Sequence, residues 1–307
     1  MIDILMATYN GEKFLSEQLD SIIAQNYTEW RLIIRDDCSQ DRTVSILKRY
    51  QKKYSGKIKL ISSKHPSGSA MNNFFKLLDY AKNDYIMFSD QDDVWKEDKI
   101  QTTLSKMNEM EKQFGTATPL LVHTDLSVVD ENLTTINPSL FKMQDMDYKR
   151  DKLNNLLATN IVTGCTMLFN RPLLNLLTQK PKQAVMHDMW IALVAIAFGK
   201  IGFVTEPTIL YRQHGKNANG VKNVNSFSYI SREIEHFRNI KNSLEKRYLQ
   251  AEEFLLIYKN NLNQEQVTLL KEFAKLKYKW WFDRAYVIFK YGFQKKGFIR
   301  VVGQILL

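Results

Sequence analysis

The fold is decided by one stretch, residues 85–95, which reads YIMFSDQDDVW. Its first half is a short apolar run typical of a buried strand, and it ends abruptly in acidic residues. Similar apolar runs occur earlier, at residues 2–7, 30–35 and 58–61. Segments with helical spacing of apolar residues separate these runs, so strand and helix alternate repeatedly. This alternation predicts a parallel sheet with crossover helices.

The remaining elements follow from the same periodicities. We predict helices over residues 12–25, 43–54, 72–82 and 188–198, strands over 120–129 and 201–204, a β-like segment over 161–170, a loop over 210–220, and helices from 226 to the end.

Polar side chains follow the predicted strands of this first region. In parallel sheets, ligands bind beyond the carboxyl ends of the strands. We therefore expect three separate segments to meet at one crevice. Their polar side chains are Thr8, Tyr9, Asn10, Asp36, Asp37, Asp90, Asp92 and Asp93.

The acids that end the deciding stretch are close together. Asp90, Asp92 and Asp93 lie within four residues, and their mutual repulsion favours a bound cation. Carboxylate oxygens suit Mg²⁺ or Mn²⁺, which also bridge phosphates. An acidic turn that caps a helix starting near Trp95 explains the same spacing, so both interpretations stay open.

Asp36 and Asp37 follow another predicted strand. A carboxylate at this point can accept a hydrogen bond from the N3–H of a pyrimidine or from a ribose hydroxyl, and a helix N-cap is the alternative. The chain contains no Gly-rich dinucleotide-binding fingerprint and no GxxxxGK[ST] loop. Dehydrogenases and P-loop NTPases are therefore disfavoured.

The positive charge is unevenly distributed. The chain carries a formal net charge of +10, and residues 221–307 hold sixteen Lys or Arg against eight Asp or Glu. Residues 1–220 therefore carry nearly equal numbers of positive and negative charges, which argues against a nucleic-acid binder. In residues 271–300, aromatic residues alternate with basic ones, which suits either a helix on an anionic membrane or a helical subdomain packed on the body or on a second subunit.

The cysteines and the apolar runs predict a cytoplasmic protein. Cys38 and Cys165 are too far apart in the sequence for a disulfide framework or a zinc knuckle, so we expect reduced thiols. The start of the sequence does not resemble a signal peptide, and no apolar run is long enough to span a bilayer.

Six motifs together resemble a known family. The first four are TYNG (8–11), SIIAQ (21–25), DDCSQDRT (36–43) and DQDDVW (90–95). In this order they resemble family 2 glycosyltransferases with the GT-A fold. MHDMW (186–190) and YRQHGKN (211–217) are similar to bacterial rhamnosyltransferases of cell-surface polysaccharide synthesis.

The resemblance implies an α/β fold of the GT-A type, a mixed and mostly parallel sheet flanked by helices. It implies a catalytic domain over residues 1–220, and the composition predicts a basic, aromatic-rich helical region over 221–307. It also implies roles for individual side chains. The residues implied to bind the nucleotide-sugar are Thr8, Tyr9, Asn10, Asp36, Asp37, Asp90, Gly164 and Arg212. Those implied to hold Mg²⁺ or Mn²⁺ are Asp90, Asp92 and His214, and Asp188 matches the catalytic base.

The sequence departs from the family pattern at several positions. Cys38 and Arg42 stand where relatives often have glycine. Asn72 replaces an arginine that helps to neutralise the diphosphate, and either Lys64, Arg212 or His214 is left to compensate.

The implied reaction is an inverting transfer of L-rhamnose from dTDP-β-L-rhamnose to a saccharide acceptor linked to a polyprenyl diphosphate. A UDP-hexose donor is the first alternative, and a non-catalytic nucleotide-sugar-binding protein is the second. The enzyme is expected at the inner face of the plasma membrane, with a homodimer left open. A nucleic-acid module that uses the basic tail is disfavoured, because no recognition motif is present.

Overall fold

The structure is a computed structural model that describes residues 1–214 and 237–307. These residues form two compact units. The first contains Met1–Leu140, Thr163–Leu176 and residues 200–214. The second contains Phe141–Val162, Leu177–Gly199 and the helices that follow residue 236. The predicted domain boundary at residue 220 lies outside the described residues and stays a prediction.

The described strands of the first unit form one sheet. In chain order they are β1 (Ile2–Thr8), β2 (Trp30–Asp36), β3 (Ile58–Ile61), β4 (Tyr85–Ser89), β5 (Val94–Trp95), β6 (Leu120–Val129), β7 (Thr135–Asn137), β8 (Leu168–Asn170) and β9 (Lys200–Arg212). The spatial order is β3-β2-β1-β4-β8-β6-β9-β5, with β7 paired to β6.

The sheet is mixed, and its first half is parallel. β1 pairs in parallel with both β2 and β4, and β2 with β3. β8 is antiparallel to β4 and to β6, while β6 and β9 are parallel. The first strands are apolar without alternation because the side chains on both of their faces are buried. This topology confirms the predicted α/β fold class.

Helices cover the sheet and build the second unit. In chain order they are α1 (Leu15–Ile23), α2 (Thr43–Lys53), α3 (Ala70–Leu78), α4 (Lys99–Phe114), α5 (Leu140–Met143), α6 (Leu153–Ala158), α7 (Arg171–Leu176), α8 (His187–Phe198), α9 (Phe237–Tyr258), α10 (Gln264–Ala274), α11 (Trp281–Tyr291) and α12 (Phe298–Leu306), with short 3₁₀ turns at Gly164–Thr166 and Lys275–Tyr278.

Three predictions about elements were wrong. No helix starts near Trp95, because Val94 and Trp95 pair with β9 and α4 begins only at Lys99. The strand predicted over 201–204 continues to Arg212, since Pro207 is accommodated at a register shift. The β-like segment over 161–170 contains a 3₁₀ turn and only a short strand.

The second unit is helical, as predicted for the part of the tail that the structure describes. α8 is buried nearly all round, which explains its continuous apolar sequence. The Asn263 side chain and Gln266 form a capping box at the start of α10. Gln266 Nε2 also donates to the carbonyl of Ala197, at the end of α8. Within the described ranges, no helix is long and apolar enough to cross a membrane.

Candidate functional site

Gln91 ties the loop after β4 to the loop after β1. Its side-chain oxygen accepts from the backbone N–H of Tyr9 at 2.8 Å, and its Nε2 donates to the Tyr9 carbonyl at 2.9 Å. Gly11 makes this possible, because a Cβ there would lie 2.4 Å from Gln91 Oε1. Gln91 was not predicted as a site residue, although it stands inside the acidic motif.

The loops after β1 and β2 are joined in the same way. Thr8 Oγ1 donates to Asp36 Oδ1 at 2.9 Å, and Ser39 donates to Asp36 through both its backbone N–H and its hydroxyl. The Asn10 N–H donates to Ser39 Oγ at 2.8 Å. Asp36 is therefore not the N-cap of α2, whose N-cap residue is Arg42.

Two residues of these loops adopt left-handed backbone conformations. Asn10 has φ 48° and Cys38 has φ 65°. Asparagine tolerates this region, whereas for cysteine it carries strain that glycine would avoid. At Cys38, where the family often has glycine, the backbone thus keeps a glycine-like conformation.

Asp37 forms a second, more buried cluster. Its carboxylate accepts from Arg35 Nη1 at 2.8 Å and from the backbone N–H and hydroxyl of Ser67 at 2.6 and 2.8 Å. Burial raises the pKa of the Asp37 carboxyl, but the hydrogen bonds from Arg35 and Ser67 outweigh burial and leave the pKa below its ordinary value. Asp37 is thus held ionised next to the loop that precedes α3.

Two predicted metal ligands from distant parts of the chain meet at the acidic turn. His214 Nε2 lies 2.8 Å from Asp92 Oδ2. Both side chains are mostly buried, with exposed fractions of 9% for His214 and 18% for Asp92. The end of β9 therefore brings an imidazole to the carboxylate that follows β4.

A second group of possible ligand atoms lies in the same turn. One ligand atom from each of Asp90, Asp93 and Cys165 lies within 4.8 Å of the others. Burial, reinforced by the charges of Asp92 and Asp90, raises the pKa of Asp93 well above its ordinary value. Burial and the nearby carboxylates likewise raise the pKa of the Cys165 thiol. Asp93 belongs to the acidic cluster that was predicted to favour a cation, whereas Cys165 was not among the predicted ligands.

A buried ammonium group lies near this cluster. Lys99 is fully buried, with Nζ 4.7 Å from the centre of the Trp95 ring. Burial lowers the pKa of Lys99 to about 8, and the neighbouring Cys165 and Asp93 act in the opposite direction. No sequence signal distinguishes Lys99 from the exposed lysines of other helix starts, so it was missed.

Arg212 is buried and braces the acidic turn from β9. Its Nε donates to the Asp92 carbonyl at 2.9 Å, and its Nη2 donates to Glu17 Oε2 at 2.6 Å. Its Nη1 donates to the Glu131 carbonyl. The guanidinium carbon lies 4.4 Å from the centre of the Phe14 ring. These contacts give Arg212 a positioning role, and its predicted contact with the nucleotide-sugar stays a prediction.

The other predicted residues of this unit lie at different depths. Tyr9 is 57% exposed, and Lys64 is exposed in the loop before α3. Gly164 is buried in its 3₁₀ turn. Asn72 donates to the Ser67 carbonyl and so helps to shape the loop around Asp37.

Asp188 belongs to the second unit. It lies in the first turn of α8, where Met186 is the N-cap residue. Its Oδ1 accepts from the N–H of Met189 at 2.5 Å. Arg247 Nη1 lies 3.4 Å from Met189 Sδ. Burial lowers the pKa of Arg247 to about 10, and the negative charge of Asp188 opposes this shift.

The family is established by comparison with known proteins. The family model described as "Glycosyl transferase family 2" matches residues 3–177, which is more than half of the chain. The chain belongs to this family, which confirms the resemblance. It is 30% identical over 227 residues to a protein of Shigella flexneri named dTDP-rhamnosyl transferase RfbG, covering 70% of this chain and 73% of that protein.

Two solved structures share the fold. The Staphylococcus aureus protein TarS (residues 1–349, in complex with UDP-GlcNAc) superposes with a TM-score of 0.60 at 16% identity, covering 94% of this chain and 72% of that one. The mannosyltransferase PcManGT of Pyrobaculum calidifontis, in complex with GDP-Man and Mn²⁺, gives a TM-score of 0.56 at 16% identity, covering 95% and 72%. At these identities the comparison concerns the fold, and it confirms the predicted GT-A architecture.

Proposed function

We propose that this protein transfers a sugar from a nucleotide-sugar donor to a saccharide acceptor by an inverting, metal-assisted displacement. The observation that carries the proposal is the group of polar side chains beyond β1, β2 and β4. Hydrogen bonds join these three strand-end loops, and the end of β9 adds His214 to them. Such a crevice is the usual ligand site of an α/β sheet.

The residues of the acidic turn fit a divalent cation. The proposed ligands, Asp90, Asp92 and His214, offer carboxylate oxygens and an imidazole nitrogen, which suit Mn²⁺ and, for the oxygens, Mg²⁺. Cys165 fits less well, because its raised pKa keeps the thiol protonated. When bound, the cation would offset the charge of the diphosphate leaving group.

The proposed donor contacts follow from the strand-end loops. Asp37 is held as a carboxylate and suits the N3–H of a pyrimidine. The exposed ring of Tyr9 offers a surface for a base. The full set proposed to bind the nucleotide-sugar is Thr8, Tyr9, Asn10, Asp36, Asp37, Asp90, Gly164 and Arg212.

Asp188 is the proposed general base. It would take the proton of the acceptor hydroxyl while that hydroxyl attacks the anomeric carbon, which inverts the configuration at that carbon. The positive charge of Arg247 favours the ionised form of Asp188 that this role requires.

The proposed donor is dTDP-β-L-rhamnose. The motifs at 186–190 and 211–217 support it, as does the similarity to the dTDP-rhamnosyl transferase of Shigella flexneri. Transfer to a saccharide linked to a polyprenyl diphosphate, at the cytoplasmic face of the membrane, would make the protein part of cell-surface polysaccharide synthesis. A UDP-hexose donor is the second candidate, supported by 28% identity over 178 residues to an Escherichia coli glucosyltransferase, WfgD, that is named for UDP-Glc.

A donor screen tests the proposed function. The purified protein is given dTDP-rhamnose, UDP-glucose, UDP-galactose or UDP-GlcNAc with Mg²⁺ or Mn²⁺, and release of the nucleoside diphosphate is measured. We expect metal-dependent release of dTDP that chelation abolishes and Asp92→Asn reduces strongly. Turnover on a UDP-hexose alone would contradict the rhamnose assignment. Binding of donors without any turnover, with or without saccharide acceptors, would favour a non-catalytic binder.

A further inference from the structure

The last helices of the second unit expose an unusual number of large apolar side chains. Exposed fractions reach 71% for Trp280, 65% for Tyr286 and 83% for Phe298. The whole set, which we name the aromatic face, consists of Tyr278, Trp280, Trp281, Phe282, Tyr286, Phe289, Phe298, Ile299 and Leu306. Isolated exposed apolar residues are ordinary, but a concentration of this kind marks an interaction surface.

α11 is apolar on two sides. Val287 and Ile288 are buried, and so is Arg284. Phe282, Tyr286 and Phe289 are spaced by four and three residues and form an exposed stripe. Packing within the unit therefore accounts for only one side of the helix. The other side is left exposed, so the alternatives that the sequence left open for this region stay predictions.

A buried arginine fixes the aromatic face to its unit. Arg284 donates to the carbonyls of Leu276, Lys279 and Ile305, which connects the 3₁₀ turn, α11 and α12. Gln304, also buried, donates to the carbonyl of Phe293 and accepts from the N–H of Lys295. These hydrogen bonds hold the backbone beneath the exposed side chains. Little further conformational entropy is therefore lost when a partner binds.

The charge around the aromatic face is strongly positive. Residues 271–307 contain nine Lys or Arg and two acidic residues. Lys290 lies next to Tyr286 and Tyr291, with its Nζ 5.4 and 5.3 Å from their ring centres. In a two-fold dimer made through this face, like charges would oppose each other, which disfavours a second copy as the partner.

We infer that the aromatic face binds the surface of an anionic lipid bilayer. Aromatic rings would enter the headgroup region, while the flanking lysines meet the acidic headgroups. The inference rests on the proposed function in one respect only, which is that binding would bring the enzyme to a lipid-linked acceptor. Binding to the bilayer itself requires neither donor nor acceptor.

Vesicle flotation tests the inference with the full chain. The protein is floated with mixed phosphatidylcholine–phosphatidylglycerol vesicles, and separately with pure phosphatidylcholine vesicles, at low and high salt. We expect binding to the mixed vesicles that decreases as salt rises, because the flanking charges are screened. Absence of binding to the mixed vesicles at low salt would overturn the inference.

Two variants and a control assign the binding to this face. Phe282→Ser/Tyr286→Ser/Phe289→Ser should weaken vesicle binding by about tenfold or more. Lys290→Glu/Lys295→Glu should weaken binding to mixed vesicles and leave binding to pure phosphatidylcholine vesicles unchanged. Leu256→Ser removes an apolar side chain that is 81% exposed on α9 of the same unit, and it should change neither. Wild-type binding by the triple variant would overturn the inference.

Light scattering distinguishes the competing partner. If the wild type is a dimer in solution and the triple variant is a monomer, the face binds a second copy, and the inference is wrong. Donor turnover, measured with a soluble saccharide acceptor and no vesicles, reports separately on the proposed function. Its failure alongside normal vesicle binding would refute the transfer reaction and leave the lipid surface in place.

Discussion

His214 Nε2 and Asp92 Oδ2 lie 2.8 Å apart, although the two residues are 122 positions apart in the sequence. Antiparallel pairing of β5 with β9 makes the contact possible, because Val94 lies opposite Leu210. The Phe14 ring lies 5.0 Å from the His214 ring and limits where the imidazole can move. The acidic turn therefore has an imidazole nitrogen at a defined place.

We predict that His214→Ala weakens Mn²⁺-dependent binding of a nucleoside diphosphate by about 10- to 100-fold. The imidazole would be lost as a ligand and as the partner that orients Asp92. Isothermal titration of dTDP and UDP, with and without Mn²⁺, measures the change. His65→Ala is the matched control, since His65 is exposed in the loop before α3. Equal effects of the two substitutions would contradict a role for His214 at the metal.

Gly11→Ala should destabilise the protein by about 1–2 kcal/mol, because the new Cβ would push away the end of the Gln91 side chain, which then loses its two hydrogen bonds to Tyr9. Gln91→Ala removes that obstacle. In the double variant the two effects should be clearly less than additive, as is usual for residues in contact. Urea unfolding of the wild type, the two single variants and the double variant measures the free energies of this double-mutant cycle. Simple additivity would mean that Gly11 is needed for another reason.

Arg212→Met should cost about 3 kcal/mol of stability, because the carbonyls of Asp92 and Glu131 would lose a buried charged donor. Glu17→Gln should cost less than about 1 kcal/mol, since the Glu17 side chain is half exposed. Urea denaturation compares the two. A larger loss from Glu17→Gln would mean that the ion pair, and not the contacts to the carbonyls, fixes Arg212.

The buried histidine of β6 should make the protein sensitive to mild acid. Burial lowers the pKa of His123 from 6.5 to about 3, so the unfolded chain binds the proton more readily than the folded one between these values. Stability is therefore complete above pH 6.5 and falls as the pH drops toward 3.

His123→Phe should reduce the loss of stability between pH 7 and pH 5 by about 2 kcal/mol, since each pKa unit corresponds to about 1.4 kcal/mol. Phenylalanine keeps a ring in contact with Phe203. Unfolding free energies at the two pH values measure the effect. His65→Phe, at an exposed position, is the control. An unchanged pH dependence in His123→Phe would show that other groups cause the acid sensitivity.

The sequence predicted the elements of the parallel half closely. The strands 58–61 and 85–89, and the strand 120–129 outside that half, have the predicted bounds, because polar or turn-forming residues directly follow each of them. The convergence of the loops after β1, β2 and β4 followed from topology alone. Residues 215–236, which include part of the predicted 211–217 motif and of the predicted 210–220 loop, lie outside the described residues.

The contacts between distant segments of the sheet could not be predicted from the spacing of apolar residues. β9 was predicted too short because Pro207 interrupts its pattern, so the approach of Arg212 and His214 to the acidic turn was not predicted from the pairing. The cluster of Asp93, Cys165 and Lys99 joins three separate segments, and no local pattern reports on such a contact.

The central claim is that Asp188 acts as the base in transfer from a nucleotide-sugar, and one comparison tests it most directly. Transfer by Asp188→Asn is measured in single-turnover experiments beside the affinity for donor and Mn²⁺. Asp283→Asn is the matched control, since Asp283 also lies in the first turn of a helix of the same unit. We predict that Asp188→Asn lowers the transfer rate by about 10²- to 10⁴-fold and leaves donor affinity within about twofold. Transfer by Asp188→Asn at a rate near that of the wild type would contradict the account.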